Sequence, residues 1–304
     1  MNQIALKAPA IRFGVNRRRF NERVLITVFF YPAFFLVVIV SFFPLFYALR
    51  QSFHASDYLE LGSFVGIDNY VEAFRAGGAF WFIWKSVTFV LGSLAVAMPI
   101  GVGLALVLSR GIRFGGFFRT ILLFPWVVSQ LVNGLLWTWF LNGRLGPVGS
   151  FLQKFGIELG SPLTDPALAM PALIVTNAWH GYPLIMVFTL AALQTVPSEV
   201  TEAAKIDASS DWNRFWSITF PLVKNPILVG AVLTSLNTFN NVTLVLIMTG
   251  GGPVGETDVL AIRVFKEAFQ FYRMDTATTL AVLIFSLNIL FSFFYIRILR
   301  GSRS

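Results

Sequence analysis

No cysteine occurs in the 304 residues. Disulfide frameworks and thiolate metal sites are therefore excluded. Two histidines are too few for a histidine-built metal centre. Charge is scarce: 12% of residues are Asp, Glu, Lys or Arg, against about 25% in soluble domains. Where the chain is apolar, charge is absent from the middle of every long run. Proton- and sodium-coupled carriers commonly place an ionisable group there. No G-x-x-x-x-G-K-[ST] loop is present to cradle nucleotide phosphates. No serine has a visible base partner, which argues against nucleophilic catalysis.

What fills the chain is hydrocarbon. Hydrophobic residues make up 56%, and mean hydropathy is +0.72. Six charge-free stretches stand out: Val24 to Leu49, Ser86 to Ser109, Thr120 to Gly143, Pro166 to Ser198, Asn225 to Gly255, and Thr276 to Ile296. Each reaches the roughly 20 residues that a helix needs to cross about 30 Å of hydrocarbon. They are too long and too uniformly apolar for barrel strands. The expected fold is an all-α membrane protein of six transmembrane helices. The first run is longer than a signal-peptide core and no A-x-A site follows it, so it reads as a retained span.

The basic residues set the expected orientation. Fifteen Lys and Arg fall on one side, in the tail 1–23, the second-to-third connection, the fourth-to-fifth connection and the C-terminus. Eight fall on the other side, with ten of the 15 acidic residues. Both termini are expected in the cytoplasm. The net charge of +8 then reflects topology rather than nucleic acid, Arg17-Arg18-Arg19 included. The outer loops read as modest: a turn at Val65–Asn69 with a short helix over Tyr70–Arg75, an amphipathic turn-helix over Leu145–Phe155, and a breaker at Thr249–Pro253. Trp81, Trp84 and Trp139 suit an aromatic belt.

Uncharged polar residues fall on helix faces. Trp126, Gln130, Asn133 and Trp137 are spaced as one stripe in the third run. Asn177 and His180 share a face in the fourth. Asn237 and Asn241 share one in the fifth, with Asn240 beside it and Thr234 and Thr238 on the same side. Interhelical hydrogen bonding explains such residues singly. Three consecutive stripes point instead to a polar passage lined by Gln130, Asn133, Trp137, Asn177, His180, Asn237, Asn240 and Asn241. Amides donate to and accept from hydroxyls, and indole faces suit the apolar face of a sugar ring.

Between the fourth and fifth runs lies a charged island over 197–221. Ser198 can cap a short helix over Glu199–Ile206. Ala203 and Ala204 keep one face small enough for close approach by another protein. A turn follows over Asp207–Ser210, and Asp211 suits the positive end of the next helix. Trp212, Phe215, Trp216 and Ile218 supply apolar surface, and Pro221 marks entry to the fifth span. Residue chemistry alone gives a surface helix-turn-helix.

The pattern Glu202-Ala203-Ala204, then Asp207, Phe215, Ile218 and Pro221, resembles the EAA signature of permease subunits in binding-protein-dependent ABC importers. Ala208 and Ser209 stand where that family usually has Gly then Ala. Further stretches resemble its carbohydrate-uptake branch: Pro44–Phe53, Gly66–Phe74, Leu193–Pro197, Thr249–Pro253 and the region of Ala268-Phe269. The resemblance runs from about Val24 to Arg300. It implies a permease domain over 24–300 with a C-terminal tail 301–304, in a bacterial inner membrane. It implies ATPase coupling through Glu202, Ala203, Ala204, Asp207, Ala208 and Phe215. It also implies a second homologous permease, two ATPase subunits carrying ATP and Mg, and an extracytoplasmic solute-binding protein. This chain is expected to bind no cofactor and to catalyse nothing. A permease for another solute class, and a passive channel or facilitator, remain open at this point.

Overall fold

The computed structural model describes residues 22–58, 60–156, 160–197, 199–200, 202 and 210–301. The chain divides into two compact units, residues 1–47 and 48–304. In the first unit the described residues belong to α1 (Glu22–Gln51), which continues to Gln51 across the boundary. Phe29, Leu36, Ile39 and Phe43 are all exposed, and a helix apolar on every side has no face suited to water.

The second unit holds a hairpin, β1 (His54–Asp57) and β2 (Glu60–Phe64), then α2 (Asp68–Arg75) and α3 (Ala79–Ser109). There follow α4 (Gly115–Val127), α5 (Gln130–Phe140), α6 (Pro147–Gln153) and α7 (Ala169–Gln194). The chain continues through α8 (Asp211–Phe239), α9 (Val242–Met248), α10 (Leu260–Phe269) and α11 (Met274–Gly301). Among the described residues five helices are long and apolar enough to cross a membrane, or six if the bent pair α4–α5 is one span.

The fold differs from the sequence expectation in three places. It is mostly helical rather than wholly so, because β1 and β2 pair antiparallel in the first outer loop. Asn69 Nδ2 donates to the carbonyls of Ser52 and His54, both at 2.9 Å, and fixes the start of the hairpin. Ser56 and Asp275 exchange backbone-to-side-chain hydrogen bonds that tie it to the first turn of α11.

The third apolar run is not one straight helix. It breaks at Val128-Ser129 with a bend of 96°. Pro125 lacks the N–H that would continue the α4 ladder, Val128 is extended, and Ser129 caps α5 by accepting from Val132 N at 3.4 Å.

The fifth run is also redrawn. Its helix begins at Asp211, well before Pro221, and runs unbroken to Phe239. A π turn over Phe215–Thr219 widens the helix just ahead of Pro221. Phe220 N donates to Phe215 O, five residues back, and this wider register accommodates the proline without ending the helix.

The core is built on α7. On one side lies α3, on the other α8. A Cβ on Gly101 of α3 would stand 2.8 Å from the Tyr182 carbonyl, and one on Gly230 of α8 would stand 3.2 Å from Ile185 Cα. Backbone contact this close through small residues is the usual route to helix association in lipid, where apolar side chains gain nothing by leaving the tails. Phe89, Leu173, Leu244, Leu260, Ile262 and Leu280 close the core toward the loops on the α10 side.

That side carries a buried ionic knot. Glu267 is shielded from solvent, and Arg273 reaches its Oε2 at 2.6 Å. Arg263 Nη2 lies 2.7 Å from its Oε1, off the hydrogen-bonding direction, so this contact is an ion pair only. Arg263 also meets Asp258 at 3.4 Å, as does Lys266. Breaking a buried pair typically costs about 3–5 kcal/mol, less here because Arg273 is half in solvent. Glu267→Ala should destabilise the chain by about 2–3 kcal/mol on that basis. Its thermal midpoint in detergent should fall by about 5 °C or more; an unchanged midpoint would mean that the knot contributes nothing to stability.

Candidate functional site

The two broken spans meet across α7. Between them lies a cavity of about 500 Å³ lined by Trp126, Gln130, Asn177, His180, Asn237 and Asn240, with Asn241, Thr234, Thr238 and Thr243. Six of the eight expected passage residues are therefore brought together. Asn133 and Trp137 are not on that lining. Asn133 is wholly buried. Trp137 packs edge-on against Trp179 at 5.9 Å and joins the apolar core. The 96° bend separates them from Trp126, so the spacing that made one stripe on paper spans two helices pointing different ways.

The break in the fifth span is made by adjacent asparagines. Asn240 ends α8, and its Nδ2 donates back to Leu236 O at 2.7 Å, a second bond to the carbonyl that its own backbone N–H reaches at 3.3 Å. Asn241 opens α9, its Oδ1 accepting from Leu244 N at 3.1 Å as an N-cap. Asn241 Nδ2 then donates to Asn177 Oδ1 at 3.1 Å. Asn177 Nδ2 donates to Thr238 Oγ1 at 2.9 Å, and Thr238 donates to Thr234 O at 2.8 Å. Asn177 and Asn241 thus sit on the cavity wall with their amides committed inside the protein. Among the described residues Asn237 makes no side-chain hydrogen bond and is exposed to the cavity. Asn240 keeps its Oδ1 free, and the ring of Trp126 is exposed. These groups can exchange hydrogen bonds and ring contacts with a visiting solute.

His180 belongs to the other break. Its Nε2 lies 3.1 Å from Val128 O, and its Nδ1 lies 3.2 Å from Gln130 Nε2. A carbonyl only accepts, so Nε2 carries the proton and Nδ1 accepts from the Gln130 amide. One ring thereby holds both sides of the bend. Tyr182 adds a second strap, its hydroxyl donating to Leu122 O at 3.0 Å. Three polar atoms on α5 are left buried without a partner: Gln130 Oε1 and both amide atoms of Asn133. Each such atom costs about 1–3 kcal/mol.

Tyr182, Thr243 and the Val128-Ser129 bend were not read as site features from the sequence. A signal existed: Pro125 followed four residues later by a cap-forming serine marks a helix end and a new start.

At the other end of α3 and α7 a larger, mostly apolar cavity of about 810 Å³ is lined by Met98, Val102, Arg110, Leu193, Val196, Trp212, Phe215 and Phe220. Arg110 pairs with Asp211 at 3.2 Å, and Arg214 pairs with Asp211 at 2.8 Å. Ser210 caps the helix through Asn213 N. Phe215 lies in the π turn, packed on Trp216 and Phe220 at 5.0 and 5.9 Å. Glu199, Val200 and Glu202 are helical and exposed. Ala203, Ala204, Asp207 and Ala208 lie outside the described residues. Among the described residues no group of acidic or histidine side chains could hold a metal ion.

The family model of the binding-protein-dependent transport system inner membrane component matches residues 97–303. The chain belongs to this family. The match takes in both broken spans and the segment around Glu202 and Phe215. The chain is 30% identical to the sulfoquinovosyl glycerol transport system permease protein SmoG of Agrobacterium fabrum, covering 92% of each. It is 30% identical to the sn-glycerol-3-phosphate transport system permease protein UgpA of Brucella abortus, covering 88% of this chain and 91% of that one. It also shares the fold of a crystal structure of a bacterial ABC transporter involved in alginate import. There the TM-score is 0.78 at 22% identity, covering 93% of this chain and 96% of that one. The protein is therefore a membrane permease component of an ABC importer, a subunit type that does not itself hydrolyse ATP.

The two sets of asparagines should separate in experiment. Asn241→Leu removes a cap and strands the Asn177 carbonyl, at a cost of about 2–3 kcal/mol. Asn237→Leu removes no internal bond and should change stability by less than about 0.5 kcal/mol. Thermal midpoints of the two purified variants check this; equal losses would show that Asn237 is packing glue.

Proposed function

We propose that this permease carries a sugar or related polyol, and that the cavity between the two broken spans is part of its path. The observation that carries the reading is the set of uncommitted groups on that wall: the Asn237 amide, the Asn240 oxygen and the Trp126 ring. No charged side chain occurs among the described residues lining it. Such a surface suits hydroxyls and the apolar face of a ring. Relatives whose printed names specify sulfoquinovosyl glycerol and sn-glycerol-3-phosphate support a polyhydroxylated solute.

In this reading the chain has a basic tail over 1–23, a six-span permease domain over 24–300 and a short tail over 301–304. Both termini and the 197–221 segment face the cytoplasm, as the asymmetry of Lys and Arg supports. A second homologous permease completes the path, and a solute-binding protein delivers the solute from outside. Two ATPase subunits, carrying ATP and Mg, dock on the segment containing Glu202, Ala203, Ala204, Asp207, Ala208 and Phe215. Phe215 suits this role because the π turn anchors it on Trp216 and Phe220 beside the large apolar cavity. ATP-driven closure of the ATPases would draw the two docking segments together and open the path outward.

Two measurements on the assembled transporter in vesicles test this. Asn237→Leu should raise the KM for solute uptake about five- to tenfold, the loss of roughly one hydrogen bond of 1–1.5 kcal/mol. Unchanged kinetics would remove Asn237 from the path. Glu202→Ala, Asp207→Ala and Ala203→Trp should each cut uptake at least tenfold while membrane insertion and ATP hydrolysis continue. Undiminished uptake by all three would rule out docking through this segment, and uptake by the chain alone would make it a facilitator.

A further inference from the structure

We infer that His180 is a positioning residue for α5, and that α5 has a second position in which Asn133 faces the cavity. The inference rests on reading that cavity as part of the solute path. His180 stands on α7, which is fixed against α3 and α8 by the close approaches of Gly101 and Gly230. From there its two ring nitrogens hold Val128 and Gln130, the residues on either side of Ser129. The two residues between α4 and α5 are extended, so the bend has no helical hydrogen-bond ladder of its own to set its angle. The ring of His180 ties both of its sides directly, beside the Tyr182 strap on α4.

The arrangement holds α5 in an orientation that does not satisfy its own polar groups. Gln130 spends its NH2 on His180 while its Oε1 is buried and unpaired. Asn133, one turn on and on the same face, is wholly buried with both amide atoms unpaired. Buried amides are normally bonded, and each exception calls for a reason. A turn of α5 about the Val128-Ser129 bend gives one: it carries the Gln130 and Asn133 face round to the cavity that Gln130 already borders. There water or solute hydroxyls complete both amides. The helix packed on α5 can follow. Gly134 meets Ile247 and Leu244 of α9 with no side chain of its own, and α9 begins at the other break, Asn240-Asn241. The two short helices thus form a pair hinged at both starts, and His180 latches one of them.

The chain has no native cysteine, so a single introduced thiol reports its own exposure. Asn133→Cys, in the full chain assembled with its partner subunits in membranes, is treated with a membrane-impermeant methanethiosulfonate reagent, and labelling is read by mass on this chain alone. Labelling should be slow with His180 present and at least tenfold faster with His180→Leu. His180→Asn keeps an acceptor near the Nδ1 position for Gln130, and His180→Gln keeps a donor near the Nε2 position for Val128; both should fall between. Asn237→Cys, already on the wall, should label at one rate in every background and reports that the fold is intact. An unchanged rate for the Asn133→Cys thiol in His180→Leu, with the Asn237→Cys thiol normal, overturns the proposal. If His180→Leu disturbs the Asn237→Cys rate as well, the Asn and Gln variants decide, and no acceleration in either overturns it. Sucrose and glycerol, added in large excess, should protect a Thr243→Cys thiol, which lies on the same wall and leaves the Asn237 amide in place. Absence of that protection, with the Asn133→Cys response intact, would instead count against the solute path and leave the movement of α5 standing.

Discussion

Inside hydrocarbon a backbone amide has no water to turn to, so every interruption of a helix must be closed by another part of the protein. The wall of the cavity between the two broken helices is governed by that requirement. Two of the chain's spans are interrupted, and the groups freed there are met by side chains that sequence composition alone would class as stray polarity. Asn240 closes one helix, Asn241 opens the next, and Ser129 opens a third. His180 takes up the Val128 carbonyl at the break, and Tyr182 bonds the Leu122 carbonyl within α4. The polar residues lining the cavity are thus of two kinds, those whose amides are bonded inside the protein and those, such as Asn237, left without an internal partner, and the distinction lies in the partners rather than in residue type.

This division explains what could be read from the sequence. The apolar runs are legible because a span needs length and uniformity, both of which are local properties. The grouping of Gln130, Asn177, His180, Asn237, Asn240 and Asn241 on one wall was also legible, since polar residues in lipid avoid the tails and seek each other. Their roles were not. Helical spacing puts Asn133 in line with Gln130 and Trp126 only while the helix continues through Ser129, and Pro125 with the serine cap ends it. The hairpin escaped notice because its strands depend on Asn69 and Asp275, 15 and 219 residues away in sequence from their partners His54 and Ser56.

The 197–221 segment shows the reverse balance. Its family signature is carried by local residue identity, so Glu202 through Pro221 could be recognised without any tertiary information. What local identity could not supply was the continuity of α8 through Pro221. That continuity depends on a single wide turn, and it makes Phe215 part of the same rod that ends at Asn240. Phe215 and the polar break are thereby joined by one helix with no loop between them.

The glycines that seat α7 between its neighbours have a mechanical corollary. Around Ile185 the backbone of α7 is approached closely by both neighbours, and Val90, Leu94 and Ala231 pack against it on either side of that point, so rolling or sliding would meet steric resistance. On the proposed reading α7 is the stator, and the two short helices past the breaks are the parts free to turn against it. Its His180 and Tyr182 are well placed for that duty, because a strap holds a moving part only as firmly as the post to which it is tied.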